Sequence, residues 1–195
     1  MLSIVIISAV EMQNDLPRYL VDEMLGKTLR WLRILGFDAL WAKDMRQTYE
    51  EDIDNRIILT ALNENRILVT RDKTLALRAI KYGVNVILVP NNLDDITKML
   101  IYVLSNSGMK LQLILDTLRK IPARCPICNG SLIKIKKEDV KNRVPPRVFL
   151  FNNEFWICKN CGKIFWRGSH WRRIEKVIHA VSCKLETLKK KTPNG

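Results

Sequence analysis

Four cysteines form the most specific chemical pattern in the sequence. Cys125 and Cys128 make one Cys-x-x-Cys pair, and Cys158 and Cys161 make a second pair after 29 intervening residues. Two such pairs present thiolates at the spacing of a tetrahedral zinc site, and with all four positions taken by protein the predicted zinc is structural. A secreted disulfide framework would spread its cysteines along the chain. We expect the fifth cysteine, Cys183, to be a small buried hydrophobic residue.

Three aspartates form a second candidate site. Asp22 and Asp72 each follow an apolar, β-rich run directly, and Asp54 lies near the start of a predicted helix, on the side of its apolar residues. The carboxyl ends of parallel strands meet at one edge of a sheet, where α/β proteins bind ligands. Converging carboxylates need a cation, and oxygen ligands favour Mg²⁺ or Mn²⁺. Such ions activate water in phosphodiester cleavage, so we expect these aspartates to be catalytic metal ligands.

A capping role for these aspartates stays open as the alternative. A carboxylate that follows a strand often caps the next helix, and Asp54 could stabilise the N-terminus of its own helix. Asp44, Glu51 and Asp52 are further candidates for a fourth ligand. They rank lower because Glu51 has capping-box spacing to Thr48 and Asp52 falls off the inward face of the predicted helix.

Basic charge is concentrated at one end of the sequence. Residues 1–118 hold 14 Lys and Arg against 15 Asp and Glu, a net charge of −1. Residues 119–195 hold 19 Lys and Arg against 5 Asp and Glu, a net charge of +14. A basic segment beside a neutral one with acidic clusters favours a nucleic-acid partner over a surface that only keeps the protein in solution.

Aromatic and basic side chains alternate between residues 155 and 173. Single-stranded RNA is bound by aromatic faces that stack on bases and by cations that contact phosphates. We expect Trp156 and Phe165 to serve mainly as the core of a small ribbon. The predicted nucleic-acid-binding residues are Arg167, His170, Arg172 and Arg173, together with Lys27, Arg30 and Arg33, which lie three apart in the first predicted helix.

Strand-like and helical patterns alternate through the first 120 residues. The β-rich runs are residues 16–22, 38–42, 66–70 and 84–89. Helices are predicted at residues 25–35, 73–82, 94–105 and 110–120, and a further helix follows the capping-box residues Thr48 and Glu51 and ends at about residue 63. This alternation predicts an α/β fold with a parallel sheet flanked by helices.

The remaining residues are predicted to form a zinc ribbon and a helix. Ribbon strands are expected at residues 132–135 and 148–156, and apolar residues at helical spacing from about residue 170 predict an amphipathic helix. The predicted domains are residues 18–121, 122–173 and 174–195. No run reaches the roughly 20 apolar residues of a membrane span, and the apolar start lacks the features of a signal peptide, so we expect a cytoplasmic protein.

Several motifs together resemble one protein family. They are VDEMLGK at 21–27, RWLR at 30–33, GFD at 36–38, RILVTRD at 66–72, RCP at 124–126, CNG at 128–130 and WRGSHW at 166–171. In this combination the sequence resembles the mut-seven C-terminal RNase domain family over roughly residues 18–173. The resemblance implies a PIN-like nuclease fold fused to a zinc ribbon, and RNA cleavage by acidic residues with a divalent metal. Asp22, Asp54 and Asp72 fall on the family's acidic positions, whereas residues 46–51 depart from its usual shorter loop.

The sequence therefore predicts a Mg²⁺- or Mn²⁺-dependent ribonuclease with a structural zinc. Its expected partner is RNA, with tRNA, rRNA and the ribosome as candidates, and no membrane; the oligomeric state stays open. The alternative is a non-catalytic RNA- or ribosome-binding protein on the same fold. A third interpretation is a protein-interaction module that uses the ribbon and the last helix.

Overall fold

A four-stranded parallel sheet organises the first part of the chain. The structure is a computed structural model that describes residues 16–45, 52–120 and 124–191. The strands are β1 (Arg18–Val21), β2 (Ala39–Trp41), β3 (Arg66–Thr70) and β4 (Val86–Leu88), in the order β2-β1-β3-β4. All neighbouring pairs are parallel, which confirms the predicted α/β class with a parallel sheet.

Five helices flank this sheet. They are α1 (Gly26–Ile34), α2 (Ile53–Asn63), α3 (Lys73–Lys81), α4 (Ile96–Ser105) and α5 (Leu111–Lys120). Successive side chains of a strand point to opposite faces, so Tyr19 and Val21 of β1 join one apolar cluster and Leu20 joins another. The first cluster includes residues of α1, α4 and α5, and the second includes residues of α2 and α3. Both faces of the sheet are therefore covered, as parallel sheets require.

Helix α2 begins at a different cap from the predicted one. The capping box expected from Thr48 and Glu51 lies outside the described residues. Asp52 is the N-cap, and its side chain accepts hydrogen bonds from the backbone N–H groups of Asp54 and Asn55. Aspartate is among the preferred N-cap residues, so Asp52 has a local structural role.

The second sheet is a small antiparallel ribbon. It consists of β5 (Leu132–Ile135), β6 (Phe155–Cys158) and β7 (Ile164–Trp166). The strand predicted at residues 148–156 is wrong in its first half, because Pro146–Phe151 form the short helix α6. Pro146 sits at the first turn of α6, where its fixed φ angle and missing N–H favour a helix start.

The last helix, α7 (Trp171–Lys191), completes the core of the parallel-sheet part. It packs against α4 and α5, and its residues Val181 and Leu185 are fully buried in the cluster that contains Tyr19 and Val21. The charge pattern groups this segment with the basic end of the chain, but its apolar face belongs to the α/β core. Among the described helices, none combines the length and apolar composition needed to cross a lipid bilayer.

We predict that Leu185→Ala lowers the free energy of unfolding of the whole protein by about 2–5 kcal/mol, because it leaves a cavity in a shared core. Chemical denaturation of the zinc-loaded protein measures this change. Lys184→Ala is the matched control, since Lys184 is the exposed neighbour of Leu185 on the same helix. Equal effects of the two substitutions would show that α7 does not share the core.

Candidate functional site

Two of the three predicted aspartates lie at the carboxyl edge of the sheet and are joined by Thr70. The Thr70 hydroxyl donates a hydrogen bond to Oδ2 of Asp22 at 2.5 Å, and it accepts one from the backbone N–H of Asp72 at 2.9 Å. Strands β1 and β3 are neighbours in register, with Val21 opposite Val69, so Asp22 leaves the sheet level with Thr70 and Asp72 follows Thr70 by two residues at the same edge. Because Thr70 is fully buried, it holds the Asp22 carboxylate in one orientation.

Both carboxylates also make the local hydrogen bonds of caps. Oδ1 of Asp22 accepts from the backbone N–H of Glu23 at 2.6 Å. Oδ1 of Asp72 accepts from the backbone N–H groups of Thr74 and Leu75 at 2.7 and 3.0 Å, which makes Asp72 the N-cap of α3. A capping role and a metal-binding role use different lone pairs of the same carboxylate, so these bonds are compatible with either interpretation.

The structure does not bring Asp54 into one cluster with Asp22 and Asp72. The Asp54 side chain is 32% exposed, and its Oδ2 forms an ion pair with Nη1 of Arg78 at 2.8 Å. Nη2 of Arg78 also pairs with Asp52 at 3.0 Å. The charge of Asp54 is thus balanced by an arginine of α3, which the helical periodicity of α2 alone does not reveal.

The four cysteines do converge. In the described parts of the chain, they are the single group of three or more Cys, His, Asp or Glu ligand atoms that could hold a metal ion, and their sulfur atoms all lie within 4.8 Å of one another. The Cys125–Cys161 and Cys128–Cys158 sulfur pairs are separated by 3.7 and 3.4 Å. A zinc ion with Zn–S bonds of about 2.3 Å needs sulfur atoms roughly 3.8 Å apart. The cysteine cluster therefore fits a structural zinc.

The backbone around the cysteines favours metal binding. Asn129 and Gly162 follow the two pairs with φ angles of 65° and 68°, the left-handed conformation that closes each turn. Burial raises the pKa of the Cys125 and Cys128 thiols. Burial would also raise the pKa of the Cys158 thiol, but hydrogen bonds from the backbone N–H groups of Cys161 and Asn160 and from neighbouring thiols lower it to about 7. Thiolates are the form that binds zinc, so of these three Cys158 is the one most readily deprotonated without the metal.

Arg33 has a different role from the predicted one. It is 2% exposed, and its guanidinium donates to the backbone oxygens of Ala39 at 2.8 Å and Ile127 at 2.7 Å. Residues three apart on a helix are rotated by about 60°, so Arg33 lies about 120° around α1 from Lys27 and does not share its face. Arg33 therefore ties α1 and β2 to the first cysteine turn and is not available to a phosphate.

A second set of hydrogen bonds fastens the ribbon to the sheet. The Asn129 side chain donates to Oδ1 of Asp38 at 2.8 Å, and its Oδ1 accepts from the backbone N–H of Ala39 at 3.3 Å. Asp38 in turn forms an ion pair with Arg66 at 2.8 Å. Asp38 and Arg66 stand at the amino ends of β2 and β3, so the ribbon docks at the edge of the sheet opposite Asp22 and Asp72.

The other predicted nucleic-acid-binding residues lie on the surface. Arg167 packs its guanidinium over the rings of Trp156 and Trp171, 5.7 and 5.0 Å from their centroids. Arg167 is exposed, and the other exposed residues of this set are Lys27 and Arg30 on α1, and His170, Arg172 and Arg173 at the start of α7. Phe155, fully buried with Val140 and Val144, forms the ribbon core in place of Trp156 and Phe165, which are only partly buried.

Cys183 differs from its prediction. It is exposed on α7, with its sulfur 3.6 Å from Nε2 of His179, and it is not part of the four-cysteine cluster. Its helical position between Val181 and Leu185 suggested burial, but α7 buries a stripe that includes those two residues and leaves Cys183 outside it.

One comparison with known proteins identifies a family. A family model described as Mut7-C RNAse domain matches residues 17–178, which is more than half of the 195 residues. This match confirms the resemblance carried by the sequence motifs. No curated protein and no solved structure matches the chain significantly.

We predict one zinc ion per chain in protein purified without a chelator, and loss of that zinc in Cys161→Ser, because a thiolate ligand is replaced by a hydroxyl. Elemental analysis against protein concentration measures the ratio. Cys183→Ser is the matched control and should keep its zinc. Zinc-free wild-type protein, or equal zinc content in both variants, would contradict a four-cysteine site.

We predict that the Asp38 ion pair makes the folded protein sensitive to acid. Burial would raise the pKa of Asp38, but hydrogen bonds from Arg66 and Asn129 outweigh it and the pKa lies below its ordinary value. A lowered pKa contributes stability that is present above the unfolded-state value of about 3.9 and is lost as the pH falls through the folded-state value.

Unfolding free energies of wild type and Asp38→Asn, measured from neutral pH down to the acid limit of the fold, test this expectation. The wild type should be the more stable protein at neutral pH, and its advantage should shrink below about pH 5. Zinc ligands are the same in both proteins, so thiol protonation affects them alike. Parallel curves would mean that the ion pair adds no acid-sensitive stability.

Proposed function

This chain belongs to the Mut7-C RNAse domain family, and from that membership, which indicates a ribonuclease-type function, we propose that it cleaves RNA with a divalent metal ion at the carboxyl edge of its parallel sheet. The observation that carries the proposal is the arrangement of Asp22 and Asp72, which follow neighbouring strands at the same edge of the sheet and share Thr70. Thr70 fixes one carboxylate relative to the other, and such fixed positions favour catalysis.

The donor set at this edge fits Mg²⁺ or Mn²⁺. These ions prefer oxygen ligands, and Mg²⁺ is commonly bound by one or two carboxylates together with water and substrate phosphates. Asp22 and Asp72 would hold the ion, and the ion when bound supplies activation of water and stabilisation of the leaving oxygen. Asp54 is not needed for this donor set, because its ion pair with Arg78 already balances its charge.

The proposed RNA contacts connect the two edges of the sheet. Lys27 and Arg30 are exposed along α1, which runs between the carboxyl edge and the docked ribbon. The remaining contacts are proposed at Arg167, His170, Arg172 and Arg173. Their charge lies in the basic segment 119–195, so RNA affinity should depend on that segment and should fall with salt. RNA is the proposed partner, and tRNA, rRNA and the ribosome stay candidates for its identity.

A non-catalytic RNA-binding protein is the second candidate function. The observation that favours it is the capping geometry of Asp22 and Asp72, whose hydrogen bonds give both carboxylates a structural reason to be present without a metal ion. Asparagine also caps helices well, so an Asp→Asn substitution keeps a capping role and removes a metal-binding charge. The substitution therefore distinguishes the two functions.

We predict that Asp22→Asn and Asp72→Asn each reduce RNA cleavage by roughly 100-fold or more while leaving RNA affinity unchanged, since each removes a metal-binding charge and keeps the side-chain size. Cleavage of mixed cellular RNA by the zinc-loaded protein with Mg²⁺, with Mn²⁺ or with EDTA measures the activity.

Asp95→Asn is the matched control, because Asp95 is the N-cap of α4 through the backbone N–H of Lys98 and lies in no cluster with the other two. It should cleave like the wild type, and so should Asp54→Asn. Metal-independent cleavage, or equal activity of Asp72→Asn and Asp95→Asn, would contradict a metal site at these two aspartates. RNA binding without any cleavage by the wild type would favour the non-catalytic function.

A further inference from the structure

A cavity of about 440 Å³ lies where α1, α5, the ribbon and α7 meet. The C-terminal end of α1, Leu118 of α5, aromatic rings of the ribbon and the first turns of α7 line it. Its size is within the range of small-molecule pockets, roughly 300–1,000 Å³. The lining residues that could contact a ligand through rings or charge include Trp156, Trp171, Arg124 and Arg167.

We propose that this cavity, here called the ribbon pocket, binds one unpaired nucleotide of a single-stranded RNA. The proposal rests on the proposed function, because it assigns the substrate a fixed position outside the aspartate edge. Four of the lining residues are aromatic and two are arginines. A nucleotide offers the matching chemistry, a flat base that stacks on aromatic rings and a phosphate that attracts guanidinium groups.

Arg167 and its neighbours hold the pocket in a receptive shape. The guanidinium of Arg167 lies over the rings of both Trp156 and Trp171. Trp171 donates from Nε1 to Glu175 at 2.7 Å, which fixes the plane of its indole. Glu154 pairs with Lys134 at 2.7 Å and lies 3.8 Å from Nε of Arg167. Side chains that are already held lose little freedom on binding, which favours affinity.

The charge around the pocket favours RNA over an apolar protein segment. Arg124 and Arg167 line it, and Arg172 and Arg173 are exposed in the first turn of α7 beside Trp171. The basic segment 119–195, with its net charge of +14, supplies this surface. An apolar peptide would gain nothing from these cations, whereas a polyanion that exposes bases uses both the rings and the charges.

Helix α1 lies between the ribbon pocket and the edge of the sheet that carries Asp22. Ile34 lines the pocket, and Lys27, Arg30 and Ile34 share one face of α1 at spacings of three and four residues. Helix α1 has nine residues and is about 14 Å long. At about 3.4 Å per stacked nucleotide, this length corresponds to roughly four nucleotides. A base in the pocket would therefore set where the strand meets the aspartates.

The test uses full-length, zinc-loaded protein carrying Asp22→Asn, so that the RNA probe is not cut. Fluorescence anisotropy measures the affinity for a labelled 12-nucleotide single strand and for the same strand fully paired. Trp171→Leu keeps an apolar side chain and removes the aromatic face. Phe149→Leu is the matched control, because Phe149 is a ribbon aromatic that packs near Lys137 and does not line the pocket.

We expect Trp171→Leu to weaken binding of the single strand about 10-fold, in keeping with the loss of one base-stacking contact. Binding of the duplex, and both affinities of Phe149→Leu, should stay within about 2-fold of the parent. Arg167→Lys should also weaken single-strand binding, because lysine keeps the charge and loses the planar guanidinium. Zinc content and unfolding free energy, measured for every variant, show that the fold is intact.

Equal affinities of Trp171→Leu and its parent for the single strand would overturn the proposal, as would equal losses for single strand and duplex. If Trp171→Leu misfolds, Arg167→Lys decides the question by the same comparison. The catalytic proposal fails separately: a wild-type protein that does not cleave RNA, but whose pocket variants lose single-strand affinity, supports the ribbon pocket and rejects the nuclease.

Discussion

The buried guanidinium of Arg33 is the contact on which the arrangement of the two sheets depends. A buried charge is costly unless its donors are satisfied, and Arg33 satisfies them with backbone oxygens from β2 and from the first cysteine turn. Neither partner alone offers a full set of acceptors. The parallel sheet and the cysteine-bearing ribbon therefore complete one another, and the Asn129 side chain extends the same junction to Asp38 and Arg66.

This junction places the basic ribbon and the acidic pair Asp22 and Asp72 at opposite ends of the strands. The ribbon docks where the strands begin, and Asp22 and Asp72 lie where they end, about 13 Å away along four residues of β1. The basic surface and the acidic pair would neutralise one another if they touched. Because they lie at opposite edges, the ribbon keeps a positive electrostatic potential and the aspartate pair keeps a negative one. The surface of α1 connects the two.

The fold class, the strand and helix order and the zinc ligands could be predicted because local patterns specify them. The Cys-x-x-Cys spacing of residues such as Cys125 and Cys158 is enough to predict them as metal ligands. The apolar run at residues 66–70 likewise predicted β3 with its observed limits. The roles of Arg33 and Asp54 depend on partners distant in sequence, and the exposure of Cys183 depends on which side of α7 packs against α4 and α5. The pairing of Asp54 with Arg78 is set by how α2 and α3 pack, and the ribbon that buries Arg33 begins some 90 residues later.

The burial of Val181 and Leu185 beside Tyr19 has a consequence for how the protein is made. The polypeptide leaves the ribosome from its N-terminus, and domains ordinarily fold as they emerge. Here the apolar core around β1 includes side chains from near the other end of the chain, and the ribbon is synthesised between them. The final packing of this core must therefore wait until α7 has been translated. Until then Tyr19 and its apolar neighbours lack part of their packing, and partial collapse or a chaperone must protect them from aggregation.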